Sequence, residues 1–100
     1  MKIVAITACP TGIAHTYMAA DALSKAAHKM HIQIKVETQG AMGIENQLTA
    51  VDIASADVVL IASDIDIEDA ERLNGKNIKH VSIEKVLTDV NAVLISCQKL

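Results

Sequence analysis

Lys2-Ile3-Val4-Ala5-Ile6-Thr7-Ala8-Cys9-Pro10-Thr11-Gly12-Ile13-Ala14-His15-Thr16 is the stretch that decides the fold. From Lys2 to Ala8 it is a short apolar run containing β-branched isoleucine and valine, the composition of a buried strand. From Ala14 to Met30 the periodicity is helical. A cysteine therefore sits where a strand stops and a helix is about to begin. A tight connection there is expected to aim backbone N–H groups, together with the positive end of the helix dipole, at one small volume above Cys9. Such a volume suits an anion.

Working outward, the helix presents Ala19, Leu23, Ala26, Ala27 and Met30 on one face, with Asp21, Ser24, Lys25 and His28 on others. Its alanines permit close approach to a sheet. Ile32-Gln33-Ile34-Lys35-Val36-Glu37-Thr38 alternates apolar and polar with period two, the pattern of a strand with one wet face at the edge of a sheet. The segment from Gly40 to Asn46, with two glycines, reads as a loop, and the short helix after it is expected to present Leu48, Val51 and Ala54. Val58-Val59-Leu60-Ile61-Ala62 is apolar on both faces, as in a central strand covered by helices on both sides. An acidic loop from Ser63 to Asp69 follows, then a short helix near Ala70 to Leu73 stopped by Asn74-Gly75. Ile78 to Ser82 reads as a fourth strand. Ile83, Val86, Leu87, Val90, Val93, Leu94 and Cys97 then recur at helical spacing, predicting one closing amphipathic helix capped by Ser82 or its neighbour.

Strands joined by helical crossovers imply an α/β fold: a three-layer sandwich around a four-stranded parallel sheet, with right-handed crossovers favouring the order 2-1-3-4. In that order the chain leaves strands one and three in opposite directions. A crevice opens at their carboxyl ends, where ligands bind in such sheets, and Cys9 stands at it.

The 100 residues are expected to form a single domain over 1–100, large enough to bury a self-sufficient core. The chain is 51% hydrophobic with Tyr17 as its one aromatic residue, so the core must be aliphatic. The net charge of -3 and the lack of any basic cluster interleaved with aromatics exclude a nucleic-acid groove. Two cysteines, Cys9 and Cys97, make no disulfide framework, and no leader with a charged segment and an apolar stretch precedes the first strand. The expectation is a cytoplasmic, monomeric protein whose membrane connection, if it has one, runs through a partner.

Chemistry follows from what a cysteine gains at a helix start. A free thiol has a pKa of about 8.5, and helix N-termini lower it into the range ~3.5 to 7.5, so a nucleophilic thiolate is expected at neutral pH. The N–H groups that stabilise it also suit the oxygens of a phosphoryl group on the sulfur, with the hydroxyls of Thr11 and Thr16 as further donors. Gly12 lets the backbone curl close to the anion, and Pro10 fixes the first dihedral of the connection. The candidate site is thus Cys9 as nucleophile with Pro10, Thr11, Gly12, Ile13, Ala14, His15 and Thr16 around the phosphate; no metal or cofactor is expected. A cysteine at a strand end is otherwise inert packing, and it is the Pro, Thr and Gly beside it that turn the reading toward catalysis.

No nucleotide-type phosphate loop is present, since Gly75-Lys76 is followed by Asn77, and the residue three beyond Cys9 is Gly12 and not a second cysteine. The loop of the cysteine phosphatases is similar in having a cysteine followed by five residues, but then an arginine; here that place is held by His15. A guanidinium grips phosphate bidentately and assists hydrolysis, whereas an imidazole offers one donor. The expected consequence is a phosphocysteine that survives to be passed on.

The run KIVAITACPTGIAHTYMAADA from Lys2, together with Val36-Glu37-Thr38-Gln39-Gly40, Asp64-Ile65-Asp66 and Arg72-Leu73-Asn74-Gly75-Lys76, resembles the B component (enzyme IIB) of the bacterial phosphoenolpyruvate-dependent sugar phosphotransferase system, fructose family. The resemblance covers nearly the whole chain. It implies that Cys9 takes a phosphoryl group from a phosphohistidine of the IIA component and gives it to a sugar arriving through the membrane-embedded IIC permease. The implied sugar is fructose or a relative such as mannosylglycerate, and the implied location is the inner face of the membrane. The alternative is a small cysteine-dependent phosphatase or arsenate reductase, which would need an arginine at position 15 and a general-acid aspartate.

Remaining residues have quieter readings beside sharper ones. His15 either donates to the phosphoryl group or caps the helix; His28, His31 and His80 lack ligand-like spacing and are expected at the surface. Asp64 and Asp66 are taken as caps for the short helix and not as a metal pair, because carboxylates in the crevice repel phosphate. Cys97, on an apolar stripe, is a small core hydrophobe. Tyr17 and Met18 either form a docking rim or pack.

Overall fold

The computed structural model describes residues 1–9 and 14–100, so Pro10, Thr11, Gly12 and Ile13, named above for the phosphate site, lie outside the described residues. The elements run in the order β1 (Lys2–Ala8), α1 (Ala14–Lys29), β2 (Gln33–Gly40), β3 (Gly43–Glu45), α2 (Ala50–Ser55), β4 (Val58–Ser63), a 3₁₀ helix (Ala70–Leu73), β5 (Ile78–Val81), α3 (Ile83–Thr88) and α4 (Val90–Gln98). They build an α/β sandwich on a mostly parallel sheet of order β3-β2-β1-β4-β5.

Strand β1 lies between β2 and β4, with Ala8 opposite Gln39 on one side and Ser63 on the other. Successive side chains on a strand point to opposite faces. Ile3 and Ala5 therefore join Leu60 and Ala62 under α1, α3 and α4, where Ala19, Leu23, Ala27, Val86 and Leu94 pack on them. Val4 and Ile6 join Val59 and Ile61 under Leu48, Ile53, Ala56 and Leu73 on the opposite face. Covering on both sides is why Ile3 to Ile6 of β1 and Val58 to Ala62 of β4 are apolar without a break.

The four parallel strands keep the expected 2-1-3-4 arrangement, but the sheet has a fifth strand that the sequence reading took for loop. β3 folds back antiparallel on the end of β2, Gly40 opposite Gly43 and Thr38 opposite Glu45. Gly43 takes φ +90°, a left-handed value that costs glycine least. The two residues of the turn, Ala41 and Met42, carry none of the Asn-Gly or Asp-Gly signal that marks such hairpins. β3 covers Thr38 to Gly40, so that end of β2 is not at the edge, while Gln33 to Glu37 keep the expected edge position; Val36, Glu37, Thr38 and Gln39 are all buried. The expected wet face is absent from that half of the strand.

Helix α2 starts on a reciprocal cap: Thr49 Oγ1 accepts from the Asp52 N–H at 3.1 Å and Asp52 Oδ2 accepts from the Thr49 N–H at 2.9 Å. Lys35 Nζ, 2.7 Å from the same carboxylate, ties the helix to β2. These donors, Lys35 foremost, hold the Asp52 carboxyl well below the usual carboxylate range. The buried contribution of this segment comes from Leu48, Ile53 and Ala56, whereas Val51 and Ala54 face outward, correcting the expected face.

The closing segment is two helices. Ser82 caps α3 as expected, its Oγ accepting from the Lys85 N–H at 3.0 Å. Asp89 then ends α3 and begins α4, its own N–H donating to the Lys85 carbonyl and its Oδ1 accepting from the Ala92 N–H at 3.3 Å. The apolar stripe keeps phase across the break, so periodicity alone shows none. Asp89→Ala should cost about 1 kcal/mol through the lost cap. In a thermal melt the midpoint should fall by roughly 4–8 °C.

Candidate functional site

Cys9 leaves the carboxyl end of β1 between the ends of β2 and β4, the point where the chain departs in opposite directions from β1 and β4. One turn into α1, Thr16 is buried and its carbonyl accepts from Thr7 Oγ1 at 3.2 Å, so the start of the helix is fastened to the end of the strand. Cys9 is partly exposed, and Ala14 and His15 are exposed.

Cys9 and His15 line a cleft of about 460 Å³ with Asp64, Ile83, Glu84, Leu87 and Thr88. Cys9 and Asp64 directly follow the carboxyl ends of β1 and β4, His15 comes from the first turn of α1, and the other four residues are spread along the length of α3. Its described lining holds two carboxylates and no lysine or arginine. Thr16, expected to donate to phosphate, is buried outside this lining.

Asp64 and Asp66 are separated: Asp66 lines a different hollow of about 240 Å³ with Ile61, Ile65, Ile67, Ala70 and His80. Neither caps the 3₁₀ helix. Its N-cap residue is Asp69, at φ +58° and without a side-chain cap bond. The loop begins instead on Ser63, whose Oγ accepts from the Ile65 N–H at 3.1 Å and donates to the Ile65 carbonyl at 2.5 Å. Among the described residues no group of three or more His, Cys, Asp or Glu is placed to hold a metal ion.

His28, His31 and His80 are exposed, and a ring nitrogen of His80 lies 3.1 Å from the Ser63 carbonyl. Cys97 is sealed in the core, where burial pushes its thiol up despite the charge of Lys79. The Tyr17 hydroxyl donates to Glu45 of β3, and both Tyr17 and Met18 are exposed.

The sequence reading missed a buried charged group behind the cleft. Glu37 of β2 is 0% exposed. Its carboxylate accepts from Arg72 at 2.5 Å, from Gln39 Nε2 at 2.8 Å and from the Leu48 N–H at 2.9 Å. Burial raises its pKa, but the bonds from Arg72, Gln39 and Leu48 and the charge of Arg72 outweigh it, and the net position is below the ordinary carboxylate value. In a single chain nothing marks residues so far apart as partners; only their presence in the two stretches that carry the family resemblance set them apart.

A doubly wound sheet with a cysteine at its switch point is the class of molecule these features define. The family model described as "PTS system, Lactose/Cellobiose specific IIB subunit" matches residues 4–96. The chain belongs to the IIB components of the sugar phosphotransferase systems, and its relatives place it with the fructose-like members. The PTS system fructose-like EIIB component 2 of Escherichia coli (strain K12) is 52% identical over 93 residues, spanning 93% of this chain and 88% of the relative. The PTS system fructose-specific EIIB'BC component of Vibrio cholerae is 58% identical over 81 residues, spanning 81% of this chain but 14% of that longer protein. A crystal structure of a domain of the fructose-specific IIABC component of Borrelia burgdorferi superposes with TM-score 0.93 at 45% identity, covering 98% of this chain and 93% of that one. The protein is thus a phosphotransferase component of a sugar uptake system.

Proposed function

We propose that Cys9, as the thiolate, is the phosphoryl acceptor and donor of this component. In the first half-reaction the sulfur attacks the phosphorus of a phosphohistidine on a IIA partner; the P–N bond breaks and the imidazole nitrogen keeps the electron pair and takes a proton. In the second, a hydroxyl oxygen of the sugar attacks the phosphocysteine, the S–P bond breaks, and the thiolate is regenerated while the hydroxyl proton passes to solvent. No step consumes water.

The observation that carries this reading is a partly exposed thiol in a cleft at the switch point of the sheet, while the second thiol, Cys97, is buried. Charge supports transfer over hydrolysis. With Asp64 and Glu84 on the cleft wall and no arginine in its described lining, a free phosphate ion is repelled. A phosphoryl group delivered on a docked partner needs no such attraction. His15, on the cleft lining, supplies one donor to the phosphoryl oxygens.

The partners are a IIA phosphohistidine protein and a membrane IIC permease, a reading supported by relatives whose names join EIIB to A and C parts in one chain. No helix among the described residues is long and apolar enough to cross a membrane, and this domain works at the cytoplasmic face beside IIC. Fructose or a close relative is the sugar, and residues 1–100 act as one monomeric domain.

The test is to incubate the protein with phosphoenolpyruvate and the upstream proteins of the system, then map phosphate by mass spectrometry. One thiol-linked phosphate on Cys9, discharged by membranes carrying the permease and its sugar, is expected. Phosphate found elsewhere, or rapid release of free phosphate from an aryl phosphate by the domain alone, would overturn the assignment.

A further inference from the structure

The loop that contributes Asp64 to the cleft runs from β4 to the 3₁₀ helix, and its far end is held from below by side chains of β2. Gln39 makes two bonds to a single backbone unit: its Oε1 accepts from the Glu68 N–H at 2.8 Å and its Nε2 donates to the Glu68 carbonyl at 3.2 Å. An amide meeting both groups of one residue reproduces the pairing of a neighbouring strand. The same Nε2 donates to Glu37 Oε2, and because an ionised carboxylate only accepts, the orientation of the Gln39 amide is dictated.

Arg72 completes the arrangement with all three of its nitrogens. Nε donates to the Asp69 carbonyl at 3.1 Å, one terminal nitrogen to the Leu48 carbonyl at 3.3 Å, and the other to Glu37 at 2.5 Å. Successive loop residues, Glu68 and Asp69, are thereby pinned to one buried carboxylate. Asp69 sits at φ +58°, a left-handed conformation that persists in a residue other than glycine only where its surroundings enforce it.

We propose that Gln39, braced by Glu37 and Arg72, is a positioning residue for phosphoryl transfer, holding the Ser63–Asp69 loop in the place from which Asp64 walls the Cys9 cleft. The proposal rests on Cys9 being the acceptor. Gln39 is 7% exposed and Glu37 is 0% exposed, so a docked partner reaches neither. Loosening them displaces the wall without removing a partner contact. Small displacements beside a reacting atom are felt in rate, by as much as about 100-fold per ångström.

The experiment compares the full chain with Gln39→Leu. Three results are expected: amide exchange at Glu68 at least about tenfold faster while β1 amides keep their protection, Cys9 alkylated faster by iodoacetamide, and kcat for transfer from the phosphorylated upstream protein about tenfold lower with KM within about twofold. Unchanged Glu68 exchange, or a loosened loop with unchanged kcat, would overturn the proposal; so would a loss confined to KM. Gln39→Asn, which keeps a buried amide too short to span both partners, reads the same quantities if the leucine variant does not fold. In the unsubstituted chain a Glu68 amide exchanging at the unprotected rate would also overturn it. The exchange and alkylation results stand whether or not phosphate is accepted, so failure of the acceptor reading shows separately, as an unlabelled parent protein.

Discussion

A Cys9→Ser protein should take up no phosphate from the upstream proteins, its transfer rate falling by at least on the order of 10³, while Cys97→Ala should label as the parent does. Serine keeps the size of the side chain and loses the ionisable sulfur. Its hydroxyl is un-ionised at neutral pH, and nothing described in the cleft is a strong base. Cys97 is 0% exposed on the inner face of α4, and its thiol is pushed up by burial, so it meets no partner and carries no charge. Intact-mass measurement after labelling reads both variants in one experiment. Labelled Cys9→Ser would move the reaction to another nucleophile.

The second large effect is on stability. Arg72→Met should destabilise the fold by about 3–5 kcal/mol, because it leaves the Glu37 carboxylate buried without its cation. For a domain whose total stability is on the order of 5–15 kcal/mol, that is a large fraction. The double variant Glu37→Leu with Arg72→Met should recover much of the loss, since the cost lies in the orphaned charge and not in the missing pair. Denaturant unfolding of the three variants checks the order.

The pH dependence distinguishes them further. In the parent, Glu37 titrates below its unfolded value of about 4.5. Its stabilising contribution is therefore complete above that pH and disappears as the pH falls through the lower, folded value. Without Arg72 the sign reverses: burial raises the folded pKa, so the penalty is complete at high pH and shrinks as acid protonates the carboxyl. The stability gap between parent and Arg72→Met should narrow on acidification from neutrality toward about 4.5.

Strong local signals made the central part of the fold legible. The apolar runs of β1 and β4 gave the two innermost strands, the alternation to helical period at Ala14 gave α1, and the crossover rule then left the 2-1-3-4 order and the crevice at Cys9. What escaped was decided by contacts distant in sequence. Glu37 and Gln39 occupy positions that alternation assigns to solvent, and only the arrival of Arg72 and the Glu68 backbone makes their burial tolerable. β3 escaped because an Ala-Met turn has no conformational signature, and the break at Asp89 because a capped junction preserves the helical phase. Asp64, expected as a cap, lies on the wall of the cleft, in a loop whose far end is held by Gln39 from a distant strand.

The two borders of the sheet carry a further consequence. The outermost strands are β3, three residues long, and β5, four residues long, and on the first side Gln33 to Glu37 of β2 run on beyond the reach of β3. Such stubs offer little template on which a foreign strand can zip. A unit with such short outermost strands is suited to being joined to other units in one long polypeptide, and in the Vibrio cholerae relative the matched part is 14% of the length.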